Sequence, residues 1–149
     1  MLFRRMLIGV IALSGLLATR AFAVEHPGRW EQVTQSGDPG AQLTYASIMF
    51  YEAKRLLGSD RDQGVAMFKK IEELLGETLR LTAASEQPHS DLVRSQAFYL
   101  LAEISRHVFR DTAKAKAHYE AALEAFPSHA GAVQGLGNLM LQQALPKTE

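Results

Sequence analysis

The chain has 149 residues, with 16 Lys and Arg balanced by 16 Asp and Glu, 47% hydrophobic residues and no cysteine. This length and composition are typical of one globular domain, because the chain is too short to build two sizeable cores. The lack of cysteine excludes disulfides, thiolate catalysis and Cys-ligated metals, and the balanced charge argues against binding to nucleic acid or to an anionic membrane.

The N-terminal residues have the order of a secretory signal peptide. Arg4 and Arg5 precede an apolar run over 6–18, and the small residues Ala21 and Ala23 then flank the bulky Phe22. This order predicts a signal peptide over 1–23 that is cleaved after Ala23. The apolar run is shorter than a spanning helix of about 20 residues, which argues against a permanent membrane anchor. We therefore expect no stable membrane span once the signal peptide is cleaved. Cleavage would remove Arg4, Arg5 and Arg20 and leave a mildly acidic domain. Such an exported domain without cysteine indicates a periplasmic or secreted protein.

Residues 24–40 contain two prolines and three glycines, which predicts an irregular lead-in. After Gly40, apolar residues recur at spacings of three and four among good helix formers, so 41–145 is predicted to be a helical domain, with 146–149 as a tail. About five helices are expected, over 41–57, 61–84, 91–109, 113–126 and 129–145, and Gly76 is a possible earlier end of the second. Their short connections favour antiparallel hairpins.

The second half of this domain carries a repeated pattern of large and small residues. It reads Phe98-x2-Leu101-Ala102, Ala115-x3-Tyr119-x2-Ala122, Pro127, and then Val133-x2-Leu136-Gly137-x2-Met140. This pattern resembles the tetratricopeptide repeat, and its spacing is one residue longer than the ~34-residue unit. The resemblance implies an all-α fold in which helical hairpins stack as a short right-handed array. The first hairpin is either a divergent repeat or an antiparallel pair of another kind.

Packing explains the choice of residue types in this pattern. The small residues let helix axes approach each other, and the large ones fill the grooves between the helices. The small positions are Ala102, Ala115, Ala122 and Gly137, and the large ones are Phe98, Leu101 and Tyr119.

The chain has few residues that indicate catalysis or metal binding. Its histidines are His26, His89, His107, His118 and His129. None forms a pair at i,i+4 on one helix, and His-Glu-x-x-His is absent. His107 and His118 could meet across the corner at Arg110, but we favour a His in the last turn of a helix and a His on a solvated face.

The remaining polar patterns have ordinary structural interpretations. The carboxylate pairs Glu72-Glu73 and Glu120/Glu124 are typical of solvated helix faces. Gly135 and Gly137 form a Gly-x-Gly inside a helix, with no strand before it, so no phosphate loop is indicated. We therefore predict neither an enzyme nor a cofactor or metal site.

The resemblance implies a concave groove that binds a partner. Its lining would be Gln96, Tyr99, Glu103 and Arg106 on one helix and Gln134, Asn138 and Leu141 on the next. This set is neutral and mixed, and it lacks the Lys and Arg cluster with which some relatives bind a C-terminal carboxylate.

The last helix is a second candidate surface. Val133, Leu136 and Met140 form a stripe that is expected to pack on the preceding hairpin, and Leu139, Leu141 and Leu145 fall largely outside it. The exposed leucines predict docking of a second copy, as a homodimer, or of a partner. Alternatively, the lead-in folds back through Trp30 and covers part of the array.

The sequence therefore predicts an exported adaptor that binds a protein or peptide partner in the cell envelope. The alternative is a closed periplasmic helical bundle that binds a small ligand or a metal. The two hypotheses differ in shape, because a repeat array leaves Tyr99, Arg106 and Asn138 on an open groove, whereas a closed bundle buries them.

Overall fold

A computed structural model describes residues 27–85, 87 and 89–145, and all the regular structure in these residues is α-helical, as predicted. The six helices found there are α1 (Pro27–Gln35), α2 (Pro39–Ser59), α3 (Arg61–Ala83), α4 (Ser90–His107), α5 (Thr112–Ala125) and α6 (Ala130–Ala144). The chain divides into two compact units, residues 1–36 and 37–149. The predicted signal peptide and tail lie outside the described residues. Among the helices described, none is both long and apolar enough to cross a membrane.

The prediction of an irregular segment over 24–40 is wrong for Pro27–Gln35, which forms α1. Pro27 opens this helix, where the missing proline N–H would have no intrahelical acceptor in any case. The Thr34 hydroxyl donates to the Trp30 carbonyl oxygen over 2.9 Å. Gly37 follows the helix with a φ of 65°, in the left-handed region that favours glycine. Proline and glycine therefore flank a short helix instead of preventing one.

The five predicted helices are all present, with ends within two residues of the predicted positions. The described residues contain six helices rather than five because α1 was not predicted. Aspartates begin three of the five: the side chains of Asp38, Asp60 and Asp111 accept hydrogen bonds from the backbone N–H groups of the first helical turns. Gly76 lies inside α3 and does not end it.

Each helix of the second unit packs mainly on the next one in the chain, and contacts also join α2 to α4 and α4 to α6. The buried polar residues of α2 and α3 are Gln42, Thr78 and Thr82, and the Thr78 hydroxyl donates a hydrogen bond to Gln42 Oε1 at 3.1 Å. The fully or almost fully buried apolar residues of these two helices are Tyr45, Ala46, Ala53, Phe68, Ile71, Leu74 and Leu75.

A second apolar cluster joins α4, α5 and α6 and contains most of the pattern noted in the sequence. Its buried members are Ala102, Ala115, Tyr119, Ala122, Ala132 and Leu139, with Phe98, Tyr99, Leu123 and Leu136 packed against them. Tyr119 thus packs among the small residues Ala102, Ala115 and Ala122, as the sequence predicts.

The predicted orientation of α6 is wrong. Its buried side consists of Ala132, Gly135 and Leu139, whereas Val133 and Met140 are more than half exposed. Leu136 is partly buried, and Leu141 and Leu145 are exposed as expected. The helix is turned so that Gly135, rather than Gly137, faces the preceding hairpin.

Candidate functional site: a groove between α4 and α6

A groove of about 290 Å³ lies between α4 and α6. It is lined by Tyr99, Glu103, Arg106, His107, Gly131, Gln134, Gly135 and Asn138. Five of the seven residues predicted to face a groove therefore line this one. Gln96 and Leu141 are not among its lining residues. The sequence interpretation did not include His107 or the two glycines.

Two glycines of α6 let this helix approach Tyr99 of α4 and Tyr119 of α5 closely. A Cβ atom at Gly131 would lie 2.9 Å from Cε2 of Tyr99, and one at Gly135 would lie 2.8 Å from the Tyr119 hydroxyl oxygen. Both distances are shorter than side-chain carbons tolerate, so neither position has room for an alanine unless an aromatic ring moves. The four-residue spacing of the glycines places them on one helix face, and this is the signal that the sequence interpretation missed.

A polar cluster forms the end of the groove nearest the C-terminus of α4. The buried Tyr119 hydroxyl donates a hydrogen bond to Oε1 of Glu103. Nε2 of His107 lies 3.6 Å from the other oxygen of the same carboxylate. Burial and this hydrogen bond raise the pKa of Tyr119 far above its usual value, and Arg106 offsets part of that rise. Tyr119 therefore remains a hydrogen-bond donor, and Glu103 is held in one orientation.

The α4 wall of the groove carries an aromatic ring, that of Tyr99. Burial raises the pKa of Tyr99 above its usual value, and electrostatic interactions with Glu103 and Tyr51 add to the rise. The Tyr99 ring lies 4.9 Å from the His129 ring and 6.4 Å from the Tyr119 ring, measured between centroids. Tyr99 is partly exposed, so one part of its ring faces the groove and another part packs on the neighbouring rings.

His129 connects the two walls. Its Nδ1 accepts a hydrogen bond from the Ala132 N–H at 3.1 Å, which caps the N-terminus of α6. Because Nδ1 is the acceptor, Nε2 carries the proton and donates to Oε1 of Gln96 on α4 over 2.8 Å. Gln96, which was predicted to face a partner, thus contributes to the contact between the two helices.

The two histidines considered as a metal pair occupy different environments. His107 is exposed in the last turn of α4, as the sequence predicts. The prediction of a solvated face for His118 is wrong, because its ring stacks on Phe98 and its Nε2 is buried without a hydrogen-bond partner. Burial and the charge of Lys114 lower the pKa of His118. Within the described part of the chain, no group of three or more His, Asp or Glu residues could hold a metal ion.

In comparisons with known proteins, no family profile, curated protein or solved structure matches the chain.

Proposed function

We propose that the protein is an exported interaction adaptor that binds an extended segment of a protein partner in the groove between α4 and α6. The observation that carries this proposal is the groove itself, whose walls present amide, guanidinium and carboxylate groups beside one aromatic ring. Export depends on the signal peptide predicted over 1–23.

The chemistry of the walls suits a peptide backbone. Gln134 and Asn138 are exposed on α6, and a carboxamide can both donate to a peptide carbonyl and accept from a peptide N–H. Arg106 on the opposite wall offers several donors, and the partly exposed ring of Tyr99 can pack on one apolar side chain of the partner. An extended segment would therefore find hydrogen-bonding groups on both sides of its path.

The packing order of the helices also supports this proposal. Contacts that run from each helix to the next, with further contacts between alternate helices, are typical of a repeat array of the tetratricopeptide kind. In the closed bundle that is the alternative, the positions of Tyr99, Arg106 and Asn138 would be buried. Here Asn138 is exposed and the other two are partly exposed, which favours an open groove.

The experiment is an affinity capture from an envelope extract with the full chain, expressed with its own N-terminal segment. The groove variant carries Tyr99→Ala, Arg106→Ala and Asn138→Ala. The matched control changes three exposed residues of α5, as Lys116→Ala, Glu120→Ala and Glu124→Ala. Circular dichroism checks that both variants remain helical.

The captured partner is then divided into synthetic peptides, and the affinity of the peptide that binds is measured by fluorescence anisotropy. We expect the groove variant to lose at least about tenfold in affinity, because one lost anchor at a groove centre commonly removes more than ~1.4 kcal/mol. The control should bind like the unchanged protein. Equal binding by the groove variant, or no partner captured by the unchanged protein, would contradict the proposal.

A further inference from the structure

His118 lies where the hairpin of α4 and α5 meets α3. Its ring stacks on Phe98 of α4, with 6.2 Å between the ring centroids and 29° between the ring planes. One turn earlier in α5, Nζ of Lys114 lies 3.1 Å from Oε1 of Glu72 on α3. Residues 114 and 118 share one face of α5, because they are four positions apart. The ring therefore lies beside an ion pair that joins α3 to α5, and it interacts electrostatically with both members of the pair.

This ion pair joins two helices that are not main packing partners. Helix α3 packs chiefly on α2 and α4, whereas α5 packs chiefly on α4 and α6. The side chain of Glu72 is 21% exposed, and that of Lys114 is 49% exposed. The carboxylate is therefore the more confined member of the pair. The lysine can move into water without disturbing the core, because about half of its side chain is already exposed.

The position of the His118 ring suits its neutral form. Its Nε2 atom is buried and has no hydrogen-bond partner among the described residues. One nitrogen of a neutral imidazole is an acceptor, whereas both nitrogens of the charged ring carry a proton. A buried donor of a charged group that finds no acceptor destabilises the structure. Protonation therefore favours a position in which Nε2 meets water or an anion.

The charges that act on this ring come from two helices. Lys114 and Asp111 belong to α5 itself and Glu72 belongs to α3, whereas α4 presents the uncharged ring of Phe98. Burial, followed by the charge of Lys114, lowers the pKa of His118, and the two carboxylates oppose this effect. The Asp111 carboxylate already caps α5, since it accepts from the backbone N–H of Lys114 at 2.9 Å. Glu72, whose ion-pair partner is half exposed, is therefore the more available acceptor for a charged ring.

We propose that Glu72 exchanges its partner when His118 takes up a proton from the solvent. Near neutral pH the carboxylate pairs with Lys114, and the uncharged ring stacks on Phe98. In acid the charged ring leaves Phe98, its Nε2 N–H donates to the Glu72 carboxylate, and Lys114 moves into water. Because a histidine side chain is shorter than a lysine side chain, α3 then lies closer to α5 at residue 118. The joint between the hairpins is thus a pH-sensitive switch, and none of its four residues lines the groove.

NMR spectroscopy of the full chain follows the ring directly, from about pH 8 to about pH 5, the range in which histidine titrates. Nuclear Overhauser contacts between the ring protons of His118 and Phe98 should be present at high pH and lost as the His118 ring becomes charged. New contacts should then form between this ring and the methylene protons of Glu72. Because one proton is taken up, the ratio of the two arrangements should change by at most about tenfold per pH unit. Circular dichroism over the same range should show that the helices persist.

Glu72→Gln tests the exchange of partners. It removes the anion, so the midpoint of the His118 titration should move to lower pH, and the new contacts with residue 72 should be lost. Glu73→Gln is the matched control, because it is the same change at the next residue, which is exposed on α3. This control should leave both observations unchanged. Lys114→Gln removes the competing cation and should move the midpoint to higher pH.

Three outcomes would overturn the proposal. In the first, the ring contacts with Phe98 persist after His118 has become charged. In the second, Glu72→Gln titrates like Glu73→Gln. In the third, the helical signal is lost in step with the charging of His118, because the ring would then leave Phe98 through unfolding of the domain.

Discussion

Replacing Gly135 by alanine should destabilise the protein, although alanine is the better helix former. The new methyl group would lie 2.8 Å from the Tyr119 hydroxyl oxygen and closer still to two carbons of that ring. Tyr119 is completely buried and its hydroxyl donates to Glu103, so the ring cannot move away from the new methyl group without disturbing this contact.

The magnitude follows from three contributions. Helix propensity favours alanine by about 1 kcal/mol. Overpacking of a filled interface costs about 1–3 kcal/mol. If the ring shifts, the hydrogen bond to the Glu103 carboxylate weakens, and such a bond contributes about 1.5–3 kcal/mol. We expect a net loss of about 2 kcal/mol in the free energy of unfolding.

Gly76→Ala is the matched control. Gly76 is exposed inside α3 and has no atom near the position of an added Cβ, so alanine should stabilise by about 0.5–1 kcal/mol. Urea denaturation followed by circular dichroism measures both variants against the unchanged chain. A Gly135→Ala variant that is as stable as Gly76→Ala would refute the close packing of Tyr119 on α6.

Substitutions at three further positions test the groove and its support. The pKa of His118 is lowered in the folded state, so the unfolded chain takes up a proton first, and the unfolding free energy should fall as pH drops below about 6.5, by at most about 1.4 kcal/mol per pH unit. Thermal melts of His118→Leu should lack this decline, and an unchanged slope would contradict the lowered pKa. Tyr119→Phe removes the hydrogen bond to Glu103 and should lower the urea unfolding free energy by about 1.5–3 kcal/mol, whereas no loss would mean that the carboxylate finds another donor. His129→Ala removes the acceptor for the Ala132 N–H and should lower the free energy of unfolding by about 1 kcal/mol, while His129→Asn, which can also cap the helix, should lower it less. Equal losses in chemical denaturation would show that His129 does not stabilise the protein through this cap.

The sequence predicts the helices of the second unit well because their ends are fixed by local chemistry. Asp60 and Asp111 each accept a hydrogen bond from the backbone of the following helix, and this role depends on neighbouring residues alone. The same holds for the burial of Tyr119 among small residues, since the spacing of Ala115 and Ala122 already places them on one face. The seven groove residues were instead implied by the resemblance to the tetratricopeptide repeat, and five of them line the groove.

The orientation of α6 could not be predicted in this way. The helix has no charged residue to mark the face that meets water, and two apolar stripes compete for the core. The choice is made by a distant contact, in which the ring of Tyr119 occupies the space left by Gly135. The environment of His118 was missed for a related reason: only its contact with Phe98 across the hairpin reveals that the ring is partly buried.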